Sequence, residues 1–191
     1  MKKITLSILL SIFLCFAASA QEDFFTMNLG LSSGIPFYGS QTVSQTASEI
    51  DTDKRVIIGT FVNANFNIIE QVTFFFGADL LTDLNWKDSS YKHFLHTGFP
   101  VGLKIYPGLG GLDFGLAYEF GFRADFLKNS DGDRNNTSMA WGNGFKLFFE
   151  YNFAHTSDIK HLPIIGCSWT FMPRGNYSYD NLITFYIAGN L

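Results

Sequence analysis

The sequence predicts an all-β protein: an eight-stranded antiparallel up-and-down transmembrane β-barrel over residues 21–191, preceded by a cleaved signal peptide over residues 1–20. Three observations lead there. An export signal opens the chain, and no later stretch is apolar enough for a spanning helix. Long segments alternate apolar residues with small or polar ones. The connections between them alternate long and short. Composition agrees: 191 residues hold 22 Phe and 18 Gly, with 47% hydrophobic and only 16% charged. Disorder requires the opposite balance. A formal net charge of −4 and a pI near 5.4 speak against a basic face for nucleic acid.

Lys2 and Lys3 form a positive n-region, Ile4 to Ala18 is largely apolar, and Ala18-Ser19-Ala20 is a small-residue cleavage site. Removing residues 1–20 leaves 11 basic and 17 acidic residues, a net charge of −6, and Cys167 as the sole cysteine. One cysteine forms no internal disulfide; within its apolar segment Cys167 reads as a small buried hydrophobe. The densest apolar region, Ile68 to Leu84, carries Glu70, Asp79 and Asp83, which does not make a spanning helix. In lipid, only a closed barrel otherwise satisfies every backbone group.

The eight strands follow from period-two patterning. The first alternates Phe25, Met27, Leu29 and Leu31 with Thr26, Asn28 and Gly30. The second runs from Val56 to Phe66, the third from Val72 to Leu81 and the fourth from Leu95 to Ile105. Pro100 interrupts the fourth; a proline cannot donate to a ladder, so a bulge is expected there. The fifth is clearest: Leu112, Phe114, Leu116, Tyr118, Phe120, Phe122, Ala124 and Phe126 alternate with Asp113, Gly115, Ala117, Glu119, Gly121, Arg123 and Asp125. The sixth, Met139 to Phe153, repeats this with Phe145, Leu147 and Phe149 on one face. The seventh covers Ile165 to Phe171, including Trp169, and the eighth Leu182 to Ala188. Long connections are expected at Ser32–Lys54, Leu84–Phe94, Leu127–Ser138 and Met172–Asn181, short ones at Asn67–Gln71 and Tyr106–Gly111, and an intermediate one at Ala154–His161. An even strand number puts both termini on one side, the periplasmic one.

The chemistry of the two faces decides which meets lipid. The aromatic face carries Leu112, Phe114, Leu116, Tyr118, Phe120, Phe122, Phe145, Leu147, Phe149 and Trp169, as lipid contact requires. The other face is mostly Gly, Ala, Ser and Asn, which suits a crowded eight-strand lumen. Its charges are Asp79, Lys104, Asp113, Glu119, Arg123, Asp125, Lys146 and Glu150. Glu119 and Arg123 on the fifth strand, and Lys146 and Glu150 on the neighbouring sixth, are expected to join in a buried, self-neutralising ionic network that plugs the barrel.

On these residues the chain resembles the small outer-membrane barrels of the OmpX, OmpW and OmpA-transmembrane type over its whole mature length, in architecture and without a family motif. The resemblance implies an outer-membrane location, a monomer, contact with outer-membrane lipid and with the barrel-insertion machinery, and no cofactor. That machinery usually reads a terminal aromatic residue; here Leu191 stands in its place.

Three functions follow as expectations. The first is a structural or surface-interaction role, with loops Ser32–Lys54 and Leu127–Ser138 contacting an extracellular ligand. The second is a narrow, porin-like channel for small hydrophobic or polar solutes. The third is a lipid-modifying enzyme, for which His93 or His96 with Ser168 would be the candidates. No third orienting group accompanies them, so no catalytic residue is assigned. Asp131, Asp133 and Asn135 open like a calcium loop, but Asn136 and Gly142 stand where Gly and Glu are required, so no metal site is assigned.

Overall fold

The computed structural model describes residues 24–39, 50–129, 135–156, 162–175 and 178–190. The signal-peptide segment, the loop centres at 40–49 and 130–134, and Leu191 lie outside them. Strands β1 (Phe25–Gly39), β2 (Lys54–Ile69), β3 (Val72–Lys87), β4 (Ser90–Ile105), β5 (Leu112–Lys128), β6 (Asn135–Asn152), β7 (Ile164–Pro173) and β8 (Tyr179–Asn190) pair antiparallel in chain order. A 3-10 turn, Phe153–Thr156, follows β6. β1 also pairs with β8, so the sheet closes and leaves no edge. No helix among the described residues is long and apolar enough to cross a membrane.

Strand number and order match the sequence expectation, but the strands are longer. β2 to β6 have 16 to 18 residues, where about 9–11 suffice to span a bilayer. Most of the additional residues lie at the end opposite the termini, although β2 gains 67–69 and β8 gains 189–190 at the other end. Opposite the termini the inner face carries charges and the outer face mixes polar and apolar residues, so alternation fades while backbone pairing continues. The expected long loop Leu84–Phe94 is therefore a two-residue turn, Asp88-Ser89, with Asp88 at φ 50°. Likewise Met172–Asn181 contracts to Arg174–Ser178, closed by hydrogen bonds from Arg174 N to Ser178 O and from Ser178 N to Gly175 O. β1 continues to Gly39 and β5 to Lys128, which shortens the two loops expected to be longest.

Two further expectations are corrected. Pro100 forms no bulge. It stays in register opposite Glu119, and on its other side the β3–β4 ladder skips two pairs and resumes in the same register. Losing pairs locally avoids rotating every later side chain to the wrong face. Cys167 is not buried in the core; it sits half-exposed on the outer face of β7.

Phe25 and Asn190 lie at the same end as the tight connections 70–71 and 106–111, here the turn end; the other is the loop end. Gly108, Gly110 and Gly111 all have positive φ, which allows the sharp Tyr106–Gly111 connection. The outer surface is apolar around its circumference: Leu31, Phe37, Ile58, Leu116, Tyr118, Trp141, Phe149 and Phe185 are all more than half exposed. The interior is where the buried charges are.

Candidate functional site

The interior divides into three levels along the barrel axis. At the loop end, Asp180 of β8 accepts hydrogen bonds from Arg123 of β5 and from Arg174, which follows β7. Arg123 also grips Asp125, two residues along the same face, through Nε at 2.6 Å and Nη2 at 3.0 Å. Arg174 Nη1 donates to the carbonyls of Ala140 at 2.9 Å and Gly121 at 3.4 Å. Beside them Asp83 receives Arg55 Nε and Nη2, each at 2.9 Å, and the Tyr38 hydroxyl at 2.7 Å. The Tyr38 hydroxyl lies 3.1 Å from His96 Nε2, and their rings stack. Ile50, Phe94 and Leu127 cluster at this end, with Tyr38 packed against them. At the rim of this end, Lys87 pairs with exposed Asp51 and holds its carboxyl below the usual carboxylate range.

At mid-height lies a cavity of about 60 Å³, walled by Asp79, His96, Glu119, Lys146, Ser168 and Thr170 among others. Lys146 pairs with Asp79, and Thr170 Oγ1 donates to Glu119 Oε2 at 3.2 Å. The buried atoms Asn63 Oδ1, Asp79 Oδ1 and His96 Nδ1 have no hydrogen-bond partner among the described residues. They belong to side chains of the cavity wall, which makes it a polar space large enough for a few waters. Gly98, Gly121 and Gly142 face one another across β4, β5 and β6. A Cβ at Gly98 would stand 2.1 Å from Glu119 Oε1, and one at Gly142 would stand 2.9 Å from Arg174 Cγ. The glycine row therefore makes the room these two charged side chains occupy.

At the turn end, Lys104 Nζ donates to Glu150 Oε1 at 2.7 Å, and Tyr186 donates to Glu150 Oε2 at 2.9 Å. Lys104 also sits 5.7 and 5.5 Å from the ring centroids of Phe75 and Phe148, within cation–π reach. Those rings meet edge to face at 5.3 Å. Asp113 lies 3.4 Å from His155 Nε2, and His155 stacks on Tyr106.

All seven residues expected in the ionic network, Lys104, Asp113, Glu119, Arg123, Asp125, Lys146 and Glu150, face inward. Their partners differ from the expected ones. The expected network joins strands five and six, but the ion pairs of these residues do not run between those two strands: Lys146 pairs with Asp79, Arg123 with Asp125 and Asp180, and Glu150 with Lys104. Partners come instead from two residues along or from across the barrel. The sequence reading missed Tyr38, Arg55, Asp83, Arg174 and Asp180, all placed in or beside expected loops. Parity was the available signal: Asp83 shares that of Asp79, Arg174 that of Ser168, and Asp180 that of Tyr186. The ten residues expected to face lipid all point outward, Phe122 and Leu147 half-exposed and the other eight exposed. His93 and His96 point to opposite faces: His93 stacks on Phe126 outside, His96 is buried inside. His96 and Ser168 both wall the cavity, but the hydroxyl of Ser168 is 2.6 Å from that of Thr184, and His96 bonds to Tyr38.

No family model matches the sequence, and no curated protein matches it. Solved structures do match in shape. Ail, the attachment invasion locus protein of Yersinia pestis, superposes with a TM-score of 0.61 at 6% identity, over 87% of this chain and 97% of Ail. Its complex with the heparin analogue sucrose octasulfate gives 0.59 at 7% identity over the same shares. Neisserial surface protein A gives 0.53 at 9% identity, over 86% of this chain and 96% of the other. These likenesses concern the fold: this chain has the fold of the small eight-stranded outer-membrane barrels.

Proposed function

We propose that the protein is a plugged outer-membrane barrel that serves as a scaffold for its loops, in a structural or surface-contact role. One observation carries this reading: the apolar and polar faces are inverted relative to a soluble barrel. Large apolar side chains cover the outside, while partnered charges and aromatic rings fill the inside. Eight strands leave an interior that side chains can fill, and here they fill it above and below one small cavity. Both termini then lie on the periplasmic side and the loops 40–53 and 129–134 outside. Ail was crystallised with a polysulfated ligand. The loop end here carries charges of both signs, Asp51, Asp53 and Asp88 with Lys54, Arg55 and Lys87.

The mid-height cavity supports a second reading, a narrow solute path interrupted by the two plugs. A catalytic role gains no support, because His96 and Ser168 are each engaged elsewhere and face the lumen. The test has two parts. Unboiled and boiled protein from the outer-membrane fraction should run differently on a denaturing gel, because a folded barrel resists detergent. In planar bilayers the protein should give no discrete conductance steps. Recovery in the soluble periplasmic fraction would remove the barrel reading, and regular single-channel steps would remove the plug and favour the channel.

A further inference from the structure

The outer surface is apolar over most of its area, and among the described strand residues its charges fall on one line. Lys54 of β2 pairs with Trp86 of β3, Trp86 with Tyr91 of β4, and Tyr91 with Lys128 of β5. By the alternation of their strands all four side chains leave the barrel on its outer side. They form a continuous cross-strand row at the loop end, and Lys54 is exposed while the other three are half-exposed. Adjacent strands are about 4.8 Å apart, so the row brings two ammonium groups to a patch roughly 14 Å across with two aromatic rings between them. The next outward row toward the membrane is Val56, Leu84, His93 and Phe126, followed by Ile58, Thr82, Leu95 and Ala124. Cations, then amphipathic aromatics, then aliphatic surface is the order in which a phosphorylated lipid presents its own parts from headgroup to acyl chains.

The opposite flank shows that this is a local feature. There β7, β8 and β1 end in the row Pro173, Tyr179 and Gly39, with Phe171, Asn181 and Phe37 next toward the membrane. That row carries no charge. A general preference of loop-end residues for water would not confine lysines to one side of the barrel.

We infer that the row Lys54–Trp86–Tyr91–Lys128 is a docking site for a phosphorylated saccharolipid of the outer leaflet. This rests on the outer-membrane reading and adds a specific lipid partner to it. Lys54 and Lys128 supply point charges to phosphate. Trp86 and Tyr91 sit at the boundary where aromatic residues with a polar tip are favoured and offer an N–H and an O–H donor to sugar or phosphate oxygens. The rows beneath receive the acyl chains. One lipid is thereby held on the β2–β5 flank while the β7–β1 flank stays free for exchange with bulk lipid.

The test uses the full mature chain folded in zwitterionic vesicles, titrated with diphosphoryl lipid A. Three further arms carry chemically dephosphorylated lipid A, inorganic phosphate alone, and Lys54→Gln/Lys128→Gln protein. Band-shift on unboiled gels confirms folding of each variant. Saturable binding of the diphosphoryl lipid is expected, weakened about thirtyfold in the double Gln variant, as two lysines near an anionic surface contribute. Lys54→Arg/Lys128→Arg protein, which keeps both charges, should bind as the native chain does. Equal affinity for the dephosphorylated lipid, equal binding by the folded Gln variant, or competition by inorganic phosphate at the concentration of the lipid itself would each overturn the site. Those outcomes leave the barrel reading standing, because the band-shift shows the protein folded in vesicles. A protein that shows no band-shift and stays out of vesicles would overturn both.

Discussion

The two halves of the lumen solve the same packing problem with different chemistry. In the loop-end half, three arginines and three aspartates, Arg55, Arg123, Arg174, Asp83, Asp125 and Asp180, pair among themselves, and planar guanidinium forks reach several oxygens at once. In the turn-end half the described residues show a Lys104–Glu150 pair with Asp113 beside His155, and aromatic rings fill the rest. Those rings lie over glycines. Phe61 faces Gly30, Phe148 faces Gly115 and Tyr186 faces Gly166, each as a direct cross-strand pair. A Cβ on any of the three glycines would come within 2.4 Å of its partner's ring. The difference teaches where each half is fragile: the first depends on every charge having its partner, the second on glycines staying bare.

The sharpest way to break the loop-end half is Asp180→Ala. It removes the one carboxylate shared by Arg123 and Arg174, both about 1% exposed. Arg123 keeps Asp125, but among the described residues Arg174 retains only backbone carbonyls. Leaving a buried charge uncompensated costs about 3–5 kcal/mol, to be read as a lower urea midpoint in vesicles. A loss of about 1 kcal/mol or less, typical of an exposed pair, would mean that water reaches these arginines and that the half is not sealed.

The next effect tests the wall that encloses both halves. Phe120 is 42% exposed on the outer side of β5, midway along the strand. Phe120→Arg should cost about 2–4 kcal/mol in vesicle refolding. Native-like stability there would show that this face meets water, and the inside–outside assignment of the barrel would fall.

In the turn-end half the corresponding attack adds atoms instead of removing charge. A Cβ at Gly115 would stand 1.8 Å from Phe148 Cζ, and Phe148 is held edge to face against Phe75 with Lys104 nearby. Gly115→Val should cost about 1–3 kcal/mol by overpacking. The same change paired with Phe148→Ala should recover part of that loss, since the ring is what the new side chain meets. No recovery in the double variant would place the strain in the backbone and not in the ring–glycine contact.

The sequence revealed this half better than the other, for a physical reason. Alternation is visible where one face is aromatic and the other is glycine, as in Leu112–Phe126. It fades toward the loop end, where the inner face carries charge and the outer face mixes polar and apolar residues, as around Arg55, Asp83 and Asp180. Residues in that zone read as loop, although their parity was continuous with the strands. Ion-pair partners were the least legible feature. A partner across a closed barrel, such as Asp180 for Arg123 or Asp79 for Lys146, depends on the shear of the whole sheet, which no local pattern carries.

The smallest expected effect separates burial from charge pairing as the cause of the contrast. Asp51 pairs with Lys87 as Asp180 pairs with its arginines, but Asp51 sits in solvent. Its carboxyl is held below the usual range, chiefly by the hydrogen bond from Lys87. A depressed carboxylate contributes stability above its unfolded pKa, and that contribution fades as pH falls through the folded value. In solvent the contribution is screened, so Asp51→Asn should leave the urea midpoint unchanged at neutral pH, and acidification to about pH 3 should shift variant and native chain together. A variant that loses stability at neutral pH and converges with the native chain on acidification would show that pairing alone stabilises this barrel. The loop-end network would then owe its strength to the number of its ion pairs and not to their exclusion from water.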